Sequence, residues 1–311
     1  MRAAQPFAQP SALPFALLTA LLLASCQAPT RSMVFQTDFG VQDGAVSAMK
    51  GVALEVDPRL VLQDLTHEIP PFDVWQAAYR LHQTAAFWPP ATVFVSVVDP
   101  GVGTDRLPVV AADRDGRLYV TPDNGTLTLL LEQDAITAAR VIDAQRFRRP
   151  GSENSHTFHG RDVFSYVGAR LAAGRVAFDA IGPEIPPARL VRIDHPRARV
   201  ETAGGRQRIA GFVPVLDVRY GNVWTDIPRE LLGQTGIVLG ATIDVRILDG
   251  EREVFAGALP YVRTFGDVAS GAPLAYDNSL GNLAFALNLG DFAKAHGIGS
   301  GPRWRVLVAA P

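Results

Sequence analysis

From residue 33 onward the apolar positions alternate between two rhythms. "MVFQTDFG" (33–40) is a short apolar run that stops at an acid and a glycine. "DGAVSAMKGVALEV" (43–56) follows with Val46, Met49, Ala53 and Val56 at spacings that share one helical face. "LVLQDL" (60–65) then predicts a second strand and "DVWQAAYRLHQTAAFW" (73–88) a second helix. "ATVFVSVVD" (91–99) has too little polarity to face water on either side, which places it inside a parallel sheet. "RLYVTPDNG" (117–125) gives a strand and turn, and "TLTLLLEQ" (126–133) starts a helix. "GRDVFSYVGARLAAG" (160–174) is a further helix, closed by Gly174. Strands alternating with crossover helices predict a mainly parallel sheet covered on both faces.

The rhythm changes near residue 190. "RIDHPRARVETAGGRQR" (192–208) is polar, holds Pro196 and a Gly-Gly turn, and lacks helical periodicity. Beyond it come short strands separated by turn residues, among them "IAGFVPVLDVRY", "NVWTDI", "TIDVRILDG", "EVFAGALPYV" and "RWRVLVAA". Their spacing is that of a small β-barrel. The expected organisation is an N-terminal α/β sandwich domain (33–186), a linker (187–197) and a smaller C-terminal β-barrel domain (198–311).

The N-terminus reads differently. "ALPFALLTALLLA" (12–24) is too short to span a bilayer but suits the core of an export signal. Leu23-Ala24-Ser25-Cys26 is similar to a bacterial lipoprotein signal. The expectation is therefore a signal peptide over 1–25, a lipidated Cys26 opening a tether over 26–32, and an exported protein that meets the membrane only through its lipid.

Composition narrows the chemistry. Of 311 residues, 48% are hydrophobic and 19% charged, enough for a sizeable core. A formal net charge of −2 gives no footing for nucleic-acid binding. Cys26 is the single cysteine, so one chain can build neither a disulfide nor a cysteine metal site. The chain also lacks a P-loop, the dinucleotide-binding glycine spacing and a Gly-x-Ser-x-Gly elbow. No His-x-x-x-His pair or Glu-rich helix joins His156 and His159, so no metal is expected.

In a doubly wound sheet, ligands sit beyond the carboxyl ends of the strands. Four strand-end corners combine an acid, amide or imidazole with a glycine. They are Thr37-Asp38-Phe39-Gly40, Asp99-Pro100-Gly101, Pro122-Asp123-Asn124-Gly125 and Thr157-Phe158-His159-Gly160-Arg161-Asp162. One such corner is an ordinary capped turn, the reading that suits Asp123 and Asn124. Four together point to a ligand site.

These corners, as "TDFG", "VVDPGVGTDR", "PDNG" and "TFHGRD", together with "YGNVWTDI" and "DNSLGNLA", occur in one order in one family. The chain resembles the S-adenosylmethionine (SAM) hydroxide adenosyltransferases, relatives of the fluorinases and chlorinases, from Met33 to the C-terminus. The resemblance implies a homotrimer, with substrate held between the N-terminal domain of one subunit and the C-terminal domain of the next. It also implies hydrolysis of SAM to adenosine and methionine by water attack at the ribose 5′ carbon, with no cofactor. The family's Asp-Arg-His triad maps onto Asp99, Arg106 and His159. Contacts to substrate map onto Asp38 at the ribose hydroxyls, Asp43 as a nearby polar acid, Phe72 as an aromatic wall, and Gly160. In the C-terminal domain, Asp217 and Asn222 match the grip on the methionine amino group, and Ser279 a contact at its carboxylate. Asn222 and Trp224 also read as an ordinary turn and a core aromatic.

The sulfonium leaves as a neutral thioether, so the site must chiefly hold a water in line with the C–S bond. Which residue takes the proton is left open among the three. Fluorinases carry tyrosine where this chain has Asp99, and a tyrosine-serine pair at His159-Gly160. A carboxylate beside the nucleophile repels halide, which favours water. Two departures concern the methionine end. Leu280 replaces an arginine of the fluorinase, and Ala284 replaces a glutamate that relatives carry in an expected helix. A non-catalytic SAM- or nucleoside-binding lipoprotein and a SAM-dependent halogenase are the competing readings.

Overall fold

The computed structural model describes residues 32–310; the expected signal peptide, most of the tether and Cys26 lie outside the described residues. The N-terminal half is built from β1 (Ser32–Thr37), α1 (Ala45–Val56), β2 (Val61–Thr66), α2 (Val74–Ala85), β3 (Val93–Val97), β4 (Pro108–Asp113), β5 (Leu118–Pro122), α3 (Thr128–Glu132), β6 (Ile136–Val141), α4 (Ala144–Phe147) and α5 (Tyr166–Ala172). Its six strands form one sheet in the order β2-β1-β3-β5-β4-β6. The ladders β1·β2, β1·β3 and β3·β5 are parallel, whereas β4 pairs antiparallel with both β5 and β6. The sheet is thus mixed. β4 and β6 are strands that the sequence pattern did not single out: no helix separates β4 from β5 to mark a crossover, and β6 (ITAARV) has no unbroken apolar run.

Side-chain alternation explains why both faces are covered. Met33, Phe35, Val93, Val95 and Val97 point to one face and pack with Met49 and Ala53 of α1 and Val167 and Leu171 of α5. Val34 and Phe94 point to the other and pack with Leu81 of α2 and Leu127, Leu130 and Leu131 around α3. β3 is buried along its whole length, as its unbroken apolar run requires.

The expected helix at 160–174 begins as a π-helical turn, Gly160–Ser165, and becomes α-helical only at Tyr166. Glycine at 168 lets the helix lie against the sheet: a Cβ there would stand 2.6 Å from Val95 Cγ2.

The C-terminal half contains β7 (Arg199–Ala203), β8 (Arg206–Val213), β9 (Leu216–Asp217), β10 (Asn222–Pro228), α6 (Arg229–Gln234), β11 (Thr242–Asp249), β12 (Arg252–Pro260), β13 (Pro273–Asp277), β14 (Asn282–Leu287), α7 (Phe292–His296) and β15 (Gly301–Ala309). Where the sequence predicted a barrel, two antiparallel sheets, β13-β14-β10-β9 and β12-β11-β15-β8-β7, stand around one core. Ile209, Val223, Ile243, Phe285 and Val306 draw on both sheets to build it. One expectation is corrected. The segment around Ala284 is strand β14 and not a helix, with Ala284 fully buried opposite Trp224 on one side and Tyr276 on the other. Its neighbours Leu283, Phe285 and Ala286 are apolar too, so the run lacks the polar face that a surface helix needs.

Helix α2 joins the halves. Trp75 Nε1 donates to Pro214 O at 3.0 Å, Arg80 donates to Leu216 O at 2.7 Å, and Tyr79 packs in a cluster with Val215, Trp224 and Tyr276.

Candidate active site

The register places the first two corners together. Thr37 at the end of β1 pairs with Val97 at the end of β3, so the residues that follow, Asp38 and Asp99, leave the sheet at the same edge. The chain also reverses its direction of winding between β1 and β3, the switch point at which such sheets bind ligands. A cavity of about 290 Å³ opens there, walled by Phe39, Phe72, Val97, Val102 and Phe158, with Asp38, Asp99 and His159 as its charged or titratable lining. Phe39 and Phe158 meet edge to face at 5.8 Å. An apolar wall carrying a few convergent polar groups is the usual make-up of a small-molecule site.

Asp99 and Arg106 form a two-pronged ion pair. Arg106 Nε lies 2.9 and 3.1 Å from the two carboxylate oxygens, and Nη2 also donates to Oδ2. The side chains are 6% and 10% exposed, so the pair is shielded from water, and the Arg106 guanidinium rests on the Phe164 ring at 5.2 Å. Arg106 Nη2 then reaches His159 Nδ1 at 3.1 Å. A guanidinium has only donors, so Nδ1 accepts and the neutral imidazole carries its proton on Nε2. Burial, aided by the Arg106 and Arg148 charges, holds the His159 pKa below its ordinary value, which keeps that neutral form.

His159 precedes the first π-helical residue and therefore sits where the helix is widened. Gly160 follows. A Cβ at that position would come within 3.3 Å of Phe158 and Val97 and 3.4 Å of Phe39, so any side chain crowds the cavity wall. Asp162 turns away from the cavity, fully buried against Arg161, whose Nε lies 2.7 Å from Asp162 Oδ1.

Asp38 is oriented from the opposite loop by Phe72, whose N–H donates to Oδ2 at 2.8 Å. Phe72 holds φ at 68°, a strained conformation for an aromatic residue, and is 72% exposed at the cavity mouth. Asp43 does not join this group. It is exposed and accepts from Ala45 N at 2.9 Å at the start of α1, lining neither cavity described here. The corner holding Asp123 and Asn124 is structural, as expected. Asp123 accepts from Val191 N at 2.9 Å and Asn124 donates to Val98 O at 2.8 Å.

The remaining site residues gather elsewhere. Asp217, Asn222 and Ser279 line a second cavity of about 630 Å³ with Tyr220, Trp224 and Tyr276. Asn222 Nδ2 donates to Asp217 Oδ2 at 3.0 Å, joining the ends of β9 and β10. The two cavities share no lining residue. Leu280 packs against the neighbouring cluster of Val215, Trp224 and Tyr276, and Ala284 belongs to that cluster. Among the described residues, no group of three or more His, Cys, Asp or Glu stands at metal-holding spacing.

Sequence reasoning missed the support beneath the first cavity. Buried His67, which meets the Thr37 of the first corner, and Phe164 under Arg106 help to build it. The only sequence signal for His67 was its position just past β2.

Comparison with known proteins bears on both halves. The family described as SAM hydroxide adenosyltransferase N-terminal domain matches residues 33–182, and its C-terminal domain matches 211–305. The (R)-S-adenosyl-L-methionine hydrolase of Salinispora tropica is 40% identical over 283 residues, covering 90% of this chain and 98% of its own. That of Thermus thermophilus is 37% identical over 282 residues, covering 89% and 100%. The fluorinase of Actinopolyspora mzabensis is 28% identical over 297 residues, covering 88% and 96%. Among solved structures, an uncharacterized conserved protein from Thermotoga maritima superposes with a TM-score of 0.79 at 31% identity. It matches 89% of this chain and 99% of its own.

Proposed function

The chain belongs to the SAM hydroxide adenosyltransferase family, and from that premise we propose that it hydrolyses (R)-S-adenosyl-L-methionine to adenosine and methionine. The observation that carries this reading is the shielded Asp99–Arg106–His159 cluster at the switch point of the sheet. Relatives named as hydrolases match nearly the whole chain at 37 to 40% identity, against 28% for the fluorinase cited above.

The reaction is an in-line displacement. A water oxygen forms a bond to the ribose 5′ carbon as the C–S bond breaks. The electron pair leaves with sulfur, methionine departs as a neutral thioether, and one water proton is removed. Departure needs no acid, because the sulfonium sheds its own charge. His159 Nε2–H donates to the water and orients its free lone pair toward the carbon. Asp99 retains lone pairs beyond those engaged by Arg106 and takes the proton. Arg106 holds both partners and offsets the carboxylate charge before the reaction. The negative charge of Asp99 favours water over halide at this position.

Asp38 grips the ribose hydroxyls. The two C-terminal sheets serve as the expected barrel, and their cavity, with Asp217, Asn222 and Ser279, takes the methionine end from a neighbouring subunit in a trimer. Support for that arrangement is the division of one ligand's contacts between two cavities with no common residue.

The test incubates residues 27–311 with each sulfonium epimer of SAM, with and without chloride. Adenosine and methionine formed in equal amounts, without 5′-chloro-adenosine, is the expected result. Binding without adenosine above the spontaneous rate overturns the hydrolase in favour of a binding protein. The proposed lipid on Cys26 has its own test. A palmitate analogue should label the full-length protein in cells and leave Cys26→Ser unlabelled.

A further inference from the structure

Beneath the acid assigned to the ribose lies a buried polar chain with no part in the reaction described above. His67, at the end of β2, is 4% exposed. Its Nδ1 lies 2.8 Å from Thr37 Oγ1, the residue immediately before Asp38. Its backbone carbonyl accepts from Gly40 N at 2.8 Å, two residues beyond Asp38. Thr37 Oγ1 also accepts from Phe39 N at 3.2 Å. The corner that presents Asp38 is therefore fastened to one histidine on both sides.

The far side of the ring explains its direction. His67 Nε2 faces Asp64 Oδ1 at 3.0 Å, at an angle that makes the contact electrostatic rather than an aligned hydrogen bond. Asp64 is held in turn by Lys50 Nζ at 2.6 Å. A carboxylate only accepts, so Nε2 bears the proton. In the neutral ring Nδ1 then accepts from the Thr37 hydroxyl, which leaves Thr37 Oγ1 free to accept from Phe39 N. Burial pushes the Asp64 carboxyl up, but Lys50 and His67 outweigh it and leave it below its ordinary value, so the carboxylate persists. The loop that starts at His67 also carries Phe72, whose N–H orients Asp38 Oδ2.

We propose that His67, set by Asp64 and bonded to Thr37, is the positioning residue that fixes Asp38 for the ribose hydroxyls of the substrate. The inference rests on the reading of Asp38 as the ribose contact. It predicts an effect on substrate binding, transmitted through Asp38, with little effect on the displacement itself.

The experiment is a double-mutant cycle on the intact protein, reading both turnover of SAM and its calorimetric affinity. His67→Leu should raise KM and Kd about tenfold, as expected for a buried hydroxyl left without its partner, with kcat within about twofold of wild type. In the Asp38→Ala background the same substitution should change either constant less than about twofold, because the acid it positions is gone. His67→Asn, whose amide oxygen can stand where Nδ1 stood, should restore most of the affinity. It also serves as the folded variant if His67→Leu melts below the assay temperature. Equal penalties in both backgrounds, or an unchanged KM in His67→Leu, overturn the proposal. A wild type that binds SAM without forming adenosine overturns the hydrolase and leaves the cycle readable on Kd. A wild type that neither binds nor hydrolyses SAM overturns both.

Discussion

Arg106 decides what its two neighbours can do. Because a guanidinium only donates, its contact with His159 Nδ1 fixes the imidazole proton on Nε2, and its two-pronged grip on Asp99 fixes the direction of that carboxylate. In the proposed reaction His159 is the neutral donor, and its pKa is held below the ordinary value by burial and by the Arg106 and Arg148 charges. The pH profile follows from that sign. Activity should be flat through neutral pH and fall on the acid side with a midpoint below 6.5, as the ring takes a second proton and loses its bond from Arg106. Stability moves the same way, since the unfolded chain binds that proton first as pH drops. A kcat profile with its acid midpoint above 6.5 would contradict the neutral-donor role. His159→Asn, which can still accept from Arg106 but lacks the Nε2 proton, should lower kcat about a hundredfold with KM little changed. Asp99→Asn, which removes the proton acceptor, should lower it at least as far, and steady-state kinetics read both. Asp99 was legible as an acid at a strand end near a glycine and His159 as an imidazole beside one, although the His159 corner follows α4 and a loop rather than a strand. Arg106 came from the family resemblance alone. His67 was not legible, because a lone buried histidine in the loop after a strand carries no pattern of its own.

At the scale of elements, the site depends on how closely one helix approaches one strand. The π-helical turn at Gly160–Ser165 starts directly after His159, and Gly168, a turn further on, lies against Val95 of β3. The strand that delivers Asp99 and the helix that delivers His159 are therefore packed on each other. A methyl group at 168 has no room, with Val95 Cγ2 at 2.6 Å, so helix or strand must shift. Gly168→Ala should destabilise the protein by about 1–3 kcal/mol, read as a lower urea midpoint with unchanged slope. It should also lower kcat, because the Arg106–His159 bond spans the same joint. An unchanged midpoint would show that the packing relaxes without strain. Periodicity found α1, α2, β1, β2, β3 and the helical character of 160–174. It could not find the π-turn, because the same apolar spacing suits either helix. The helix at Asn282–Leu287 was implied by the resemblance to relatives, and periodicity offered no check on it, because a short apolar run bounded by turns fits strand and helix alike until its cross-strand partners are known.

For the whole molecule, the proposed function divides one substrate between two cavities that share no lining residue. If substrate lies between the N-terminal cavity of one subunit and the C-terminal cavity of the next, inactive chains should rescue each other. Asp99→Ala and Asn222→Ala chains, unfolded together and reassembled at equal amounts, should regain about a quarter of wild-type activity, the share of interfaces that join two intact faces. No recovery from mixed assemblies shown to contain both chains would place the whole site within one chain. Analytical ultracentrifugation of the wild type should give a trimer.

The sequence alone determined the two-part architecture, the buried central strand and the identity of the strand-end groups. Apolar periodicity and glycine-flanked acids are local properties that the chain carries in order. Tertiary structure decided which of those groups meet. The Thr37–Val97 register sets Asp38 beside Asp99, the turn after Asp99 folds Arg106 back onto it, and helix packing brings His159 to within 3.1 Å of that arginine. It also set Asp217, Asn222 and Ser279 in a different cavity. Register, close packing and the assembly of subunits depend on residues far apart in the chain, and a local pattern holds no record of them.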